Sequence, residues 1–258
     1  MALKFYGQFN PPLDRVLYER YFESRKKPGV FVECGAFDGV TSATCKFFEE
    51  TLGWKGVNVE PSPPIFEELV KNRPTSINVN AALAAREGRA TFQGIVHPQY
   101  GEKCSNGSLK HHPIHKAYID DAGWELRPYE VHTISWCDFI ARQNLKRVDL
   151  FVLDVEGCEL DVIAGMKGAR VLPQIFCAEH GHLGVPALRE AIEPLGYRYD
   201  GSAEVNSFFV RLSPLRRFLR RFNFGRSSHN AASLKGSAGP IWTLEDERKS
   251  HSGKKKAS

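Results

Sequence analysis

Val30-Phe31-Val32-Glu33-Cys34-Gly35-Ala36-Phe37-Asp38-Gly39 is the stretch on which the reading of the fold turns. Its apolar start reads as a short strand buried on both faces, as in a parallel sheet. The strand runs into an acid and a glycine-bearing turn, and residues 42–52 read as the helix that follows. Outward from this unit the alternation repeats. Residues 56–60 read as a second strand and 63–72 as a helix with proline at its start. A third strand is expected over 76–83 and an extra strand or hairpin arm over 88–97. Order returns at 131–134, followed by a helix to 144 and the most apolar strand, 148–155. A helix at 158–169, a strand at 174–179 and a helix at 185–194 come next, and 197–200 with 207–212 close the chain as an antiparallel pair. Repeated β-α units imply an α/β fold, a mostly parallel sheet with helices on both faces.

Three segments stand apart from this pattern. Residues 1–28 read as an N-terminal helical extension, its helix over 13–23 ended by Pro28-Gly29. Residues 98–130, rich in His, Gly and Pro and without periodicity, read as an inserted loop or lid in the domain spanning 29–212. Residues 213–258 carry eleven Lys or Arg and three acids, leaving the rest of the chain mildly acidic although the whole is +5. Within them Leu215, Phe218, Leu219 and Phe222 follow helical spacing, with Arg216, Arg217, Arg220 and Arg221 opposite. That pattern is a basic amphipathic helix, suited to an anionic membrane surface or to packing on the domain; the Ser-, Gly- and Lys-rich remainder is expected to be disordered.

The chain has 258 residues and ordinary soluble composition, 42% hydrophobic and 25% charged. The six cysteines form no C-x-x-C pair and read as reduced thiols. The start lacks the apolar core of a signal peptide, and no run approaches the ~20 apolar residues that span a bilayer. A cytoplasmic protein is expected, peripheral at the inner membrane face if residues 215–222 bind there.

Four motifs carry chemistry. The turn Glu33-x-Gly35-x-x-x-Gly39 departs from G-x-G-x-x-G, the pattern a pyrophosphate needs. An acid two residues before the first glycine suits a cationic ligand such as S-adenosylmethionine, which has an ammonium, a sulfonium and no phosphate; the alternative is a tight turn without cofactor. Glu60, ending the second strand, can accept both ribose hydroxyls of an adenosyl group, or be a solvated acid. Asp154-Val155-Glu156-Gly157-Cys158-Glu159 follows the central strand, so Asp154 is a candidate general base or cation ligand, while Glu156 and Glu159 suit the first turn of the next helix. In Glu179-His180-Gly181-His182 a histidine beside a carboxylate is a candidate proton acceptor, or polar surface.

In their order and spacing these residues resemble the FkbM-type methyltransferases: VFVECGAFDGVTSAT, the E-P dipeptide of VNVEPSPPIFEEL, INVNAALA, LFVLDVEGCELDVI and FCAEH, over roughly residues 5–212. The resemblance implies a Rossmann-like methyltransferase fold with a seven-stranded sheet ending in an antiparallel hairpin. It implies S-adenosylmethionine as donor and a hydroxyl acceptor, often on a sugar or polyketide. Glu33, Gly35, Ala36, Asp38, Gly39, Glu60 and Pro61 would hold the cofactor, with Ser42 and Thr44 facing it at the helix start, Asn80 and Ala81 flanking adenine, and Asp154 beside it. Asp154, Glu156 and Glu179 match the acids of the family's later motifs. Asp154, Glu179 and His180 are the catalytic candidates, Asp154 or His180 as base, and the same three are candidate ligands of a divalent cation, Mg or Mn. The loop His111-His112-Pro113-Ile114-His115 departs from the family pattern and is assigned to the acceptor.

The expected reaction is in-line methyl transfer to a hydroxyl of a sugar, glycan or glycolipid. A different small-molecule acceptor is the first alternative. A nucleic-acid acceptor is disfavoured, because Asp154-Val155-Glu156-Gly157 is acidic where N-P-P-Y or a catalytic cysteine would be needed. A binding module that keeps the fold without catalysis would have damaged cofactor motifs, and these are intact.

Overall fold

The computed structural model describes residues 3–181 and 183–213. Contacts divide the chain into a unit Met1–Arg211 and a unit Leu212–Ser258. The amphipathic segment 215–222, the tail and His182 lie outside the described residues.

The main sheet has seven strands: β1 (Val30–Cys34), β2 (Lys55–Val59), β3 (Ile77–Val79), β7 (Leu150–Leu153), β8 (Ile175–Glu179), β9 (Tyr197–Ala203) and β10 (Asn206–Arg211). Their order is β3-β2-β1-β7-β8-β10-β9. The pairs β2–β3, β1–β2, β1–β7 and β7–β8 are parallel. β10 runs antiparallel between β8 and β9. This is a Rossmann-like methyltransferase fold with its closing hairpin, as expected from the sequence.

The apolar runs of the strands are continuous because both faces are covered. Phe31 on β1, Val152 on β7, Cys177 on β8 and Phe208 on β10 pack one way, against Phe47 and Phe48 of α2 (Lys46–Glu50) and Leu13, Leu17 and Phe22 of the opening helix. That helix, α1 (Leu13–Leu17), passes into a π-helical turn, Tyr18–Phe22. Val32, Phe151, Phe176 and Phe209 face the other way. They meet Trp136 and Phe139 of α5 (Trp136–Arg142), Val162 and Ile163 of α6 (Glu159–Ala164), and Leu188 and Ile192 of α7 (Val185–Ile192). The opening segment thus completes one of the two cores.

Three local readings are corrected. The strand expected over 76–83 breaks in two: β3 stays in the main sheet, and β4 (Ala82–Ala84) joins a second, three-stranded sheet. The break lies at Asn80, whose amide donates to the carbonyls of Glu60 and Pro61 at 2.9 and 3.1 Å, while Ala81 N–H turns back to Val79 O. The helix expected over 42–52 starts only at Lys46, because Phe37, Gly39 and Ser42 have φ of +50°, +74° and +54°, which no right-handed helix accommodates. Residues 98–130, expected as an irregular loop, contain α4 (Pro113–Asp121) and the first half of β6 (Glu125–Ser135). β6 pairs antiparallel with β5 (Gly88–Val96) from Gly88↔Thr133 to Val96↔Glu125, and parallel with β4 only over Thr133–Ser135. Pro128 therefore lies where β6 has a single ladder partner, and its missing N–H breaks no bond on the other side.

Candidate active site

The strand order reverses between β1 and β7, and in an open α/β sheet ligands bind at such a switch point, outside the carboxyl ends of the strands. The turn after β1 is held there by its neighbours. Gly35 has φ +80°, and a Cβ on it would sit 1.7 Å from the carbonyl oxygen of Asp154, so only glycine lets β1 and β7 converge. Gly35 and Ala36 N–H both donate to Val59 O at 3.1 Å, and Gly39 N–H closes the turn on Ala36 O. Asp38 is committed to its own loop: its carboxylate accepts from the N–H groups of Val40 and Thr41, at 2.8 and 2.7 Å, and from the Thr41 hydroxyl. Ser42 is exposed, whereas Thr44 is buried.

Glu60 binds this turn to the end of β2. One carboxylate oxygen accepts from Phe37 N–H at 3.1 Å and the other from Ser62 N–H at 2.8 Å. Burial pushes the carboxyl up to about 7, against the opposing pull of the Ser62 and Phe37 amides. Each oxygen keeps a second lone pair, so the ionised group can still accept two hydroxyl donors. Pro61 is partly buried and Ala81 lies in the core beside the Asn80 turn.

Beneath the turn is a buried ionic group that the sequence reading missed. Arg73, 1% exposed, pairs with Glu49, lies 3.7 Å from the Glu33 carboxylate, and donates to the carbonyl of Gly39 at 3.3 Å. Glu33 also accepts from Cys45 N–H at 2.9 Å. Burial raises the Glu33 carboxyl, and the Arg73 guanidinium opposes it. Glu33 thus supports the turn from inside the protein. Arg73 caps α3 (Pro63–Asn72), and an arginine ending a helix reads as surface; Gly39, which leaves room for the Arg73 stem, was the available signal.

Across the switch point, β7 and β8 deliver the acids. Asp154 N–H donates to Cys34 O at 3.0 Å. Glu179, at the end of β8, is raised well above its ordinary range by burial, by the charges of Asp154, Glu156 and Glu159, and by a hydrogen bond with Asp154. The crowding of these like charges at the ends of β7 and β8 favours the protonated form of Glu179. Glu159 is 1% exposed and accepts from Val155 and Gly157 N–H, at 3.1 and 3.2 Å, so it shapes the loop. His180 turns to β10: its Nδ1 meets Ser207 Oγ at 3.0 Å, its N–H donates to Val205 O, and burial lowers its proton affinity. Among the described residues no three His, Cys, Asp or Glu side chains converge to hold a metal ion.

The insert covers the same loop. Ser108 Oγ lies 3.4 Å from Val155 O and 3.5 Å from Cys158 Sγ, and His115 Nδ1 lies 3.6 Å from Glu156 Oε2. Gly157, φ +100°, leaves room for the backbone of His112. Glu156 holds φ +55°, an uncommon conformation for a side-chain-bearing residue and one that concentrates at functional loops. None of the six cysteines is in a disulfide, and among the described residues no helix is long and apolar enough to cross a membrane.

The donor set fits S-adenosylmethionine: the Glu60 carboxylate ends β2 beside the turn with lone pairs left for hydroxyl donors, and the nearby guanidinium of Arg73 is already paired. A solved FkbM methyltransferase from Methylobacillus flagellatus is similar at 9% identity, over 74% of this chain and 46% of that one, with a TM-score of 0.43. The N-terminal domain of human METTL16 is similar at 10% identity, over 78% and 68%, with a TM-score of 0.43. A precorrin-6y C5,15-methyltransferase from Geobacter metallireducens is similar at 10%, over 77% and 86%, with a TM-score of 0.40. This chain spans less than half of the Methylobacillus protein's length. No curated protein matches it. The family model described as the methyltransferase FkbM domain matches residues 33–199, from the acid of the first turn into the closing hairpin, and the chain belongs to that family.

Proposed function

We propose that this protein is an S-adenosylmethionine-dependent O-methyltransferase acting on a hydroxyl of a sugar, glycan or glycolipid. The observation that carries the reading is the placement of Asp154 and Glu179 side by side at the carboxyl ends of β7 and β8, with the Asp154 backbone against the Gly35 turn. When bound, the cofactor supplies a methyl group already activated by its sulfonium. The turn 35–39, Glu60 and Asn80 would hold it, with Glu33 and Arg73 supporting from below.

The chain's remaining task is to align an acceptor oxygen and take its proton. Asp154 is the candidate base, and Glu179 stands beside it. His180, kept neutral by burial and oriented by Ser207, is the second candidate. The insert packs on this side of the loop through Ser108 and His115.

The test is transfer of labelled methyl from the cofactor to free sugars, nucleotide sugars and glycolipids, with Mg²⁺ and with chelator. Methylation of a sugar hydroxyl, lost in Asp154→Asn with cofactor affinity within a few-fold of the parent, is the expected result. Full turnover in Asp154→Asn removes it from the chemistry. A protein that takes no cofactor in calorimetry refutes the whole reading.

A further inference from the structure

The insert between β5 and β6 carries six rings in one continuous row. His111 and His115 have centroids 5.1 Å apart at 81°, His115 and Tyr118 6.5 Å at 19°, and Tyr118 and Trp124 5.2 Å at 80°. Trp124 and His97 follow at 4.7 Å and 71°, then His97 and Tyr100 at 4.8 Å and 26°. One end lies on the loop after β7, where His115 faces Glu156; the other is Tyr100, which is 44% exposed. Only His115 of the six is buried.

The make-up of the row differs from that of the cores. The two large cores are rich in phenylalanine. In the row every ring has an apolar body and a polar atom: three imidazoles, two phenols and an indole. Such rings suit a ligand that has apolar faces and a polar rim. Three of the five pairs meet at 71–81° and two lie within 26° of parallel, so the row offers single ring faces on which a puckered ring can rest. The local charges select further. Three of the four cations in residues 97–130 already face carboxylates, Lys103 with Glu68, Lys116 with Asp120, and Arg127 with Glu102 and Glu125; the fourth, Lys110, is exposed beside His111.

We propose that this row is the acceptor-binding surface, and that it takes an uncharged, hydroxyl-bearing ring in preference to a phosphorylated or nucleotide-linked one, with His115 and Glu156 as positioning residues at its catalytic end. The proposal rests on the methyltransferase reading above and narrows its acceptor. It puts acceptor choice on the insert and cofactor choice on β1 and β2, two separate parts of the chain.

Trp124 reports on the surface: Trp54 and Trp136 are buried, and the signal of Trp242 is subtracted with the Trp124→Phe control. The full chain, saturated with cofactor, is titrated with maltose, lactose and chitobiose, and with UDP-glucose and glucose 6-phosphate as charged counterparts. Tryptophan emission and calorimetry are the readouts, with Trp124→Phe as the optical control. At least one uncharged disaccharide is expected to bind and shift the emission of Trp124. Tyr100→Ala and Trp124→Ala should each weaken it about tenfold or more. Tyr100 is exposed, so its variant keeps the fold, and His115→Ala should raise the acceptor KM more than it lowers kcat. Cofactor affinity should not move in any variant. Tighter binding of a charged probe, no binding of any uncharged one, or disaccharide binding indifferent to Tyr100 and Trp124 overturns the proposal and leaves the methyltransferase reading standing. Loss of cofactor binding in the parent chain overturns that reading instead.

Discussion

Cofactor affinity should rise with pH through neutrality, and Glu60 should be the reason. Its carboxyl lies at about 7, against an ordinary 4.5. With one titrating group at 7, about a tenth of the molecules carry ionised Glu60 at pH 6 and about nine-tenths at pH 8. Ribose hydroxyls are donors and need the ionised form, so the apparent Kd should fall roughly tenfold across that interval. The neighbouring Cys34 thiol is pushed upward by burial and does not titrate there. Stability of the cofactor-free protein moves the other way. A carboxyl raised on folding binds its proton more tightly when folded, so its contribution is complete below pH 4.5 and fades as pH rises towards 7. The full span is about 3 kcal/mol. Calorimetry in two buffers of different ionisation enthalpy should therefore detect proton release on binding near pH 7. In Glu60→Gln both trends should vanish, and binding should be weak at every pH, because an amide accepts on one oxygen only and cannot satisfy both Phe37 and Ser62. A wild-type Kd that is flat from pH 6 to 8, or a Glu60→Gln protein that keeps the tenfold change, refutes the reasoning.

Other perturbations act on the supports. Gly35→Ala places a methyl against the Asp154 carbonyl at a φ of +80°, and should cost about 3 kcal/mol in urea unfolding; parent-like stability would contradict the close approach. Arg73→Met leaves buried Glu33 and partly buried Glu49 without their cation, and should destabilise by about 3–5 kcal/mol at pH 8. That loss should shrink as pH falls and buried Glu33 protonates, so a pH-independent difference would argue against the ionic group. Glu159→Ala strips the acceptor from Val155 and Gly157, and should cost about 2 kcal/mol and lower turnover more than cofactor affinity. Equal turnover in that variant would show that the loop needs no such support.

The main sheet was legible because its information is local. Val30–Val32 and Val148–Leu153 are apolar runs too short for helices and bounded by turn residues, and their acids and glycines fall at strand ends. What was hidden depends on register and on distant neighbours. Asp154 and Glu179 were each legible as strand-end acids; the parallel register that sets Leu153 beside Ala178 is what places them side by side. Arg73 looked like surface because its partners, Glu33 and Glu49, come from other elements. The insert looked irregular because Pro128 and the polar alternation of β6 masked a strand, and because half of its ladder lies across a 28-residue connection from Val96 to Glu125.

The ladder between β5 and β6 also bears on how such proteins diversify. Gly88 and Thr133 are ladder partners, so everything between them leaves and re-enters the domain at one doorway. Closing a longer loop across a fixed gap costs only about 0.6 kcal/mol per doubling of its length. Material can therefore be added, removed or exchanged beyond that doorway while strands β1, β2, β7 and β8 keep their register. A transplant of the segment between Gly88 and Thr133 into a relative is the natural unit of exchange, a cassette with its own hinge.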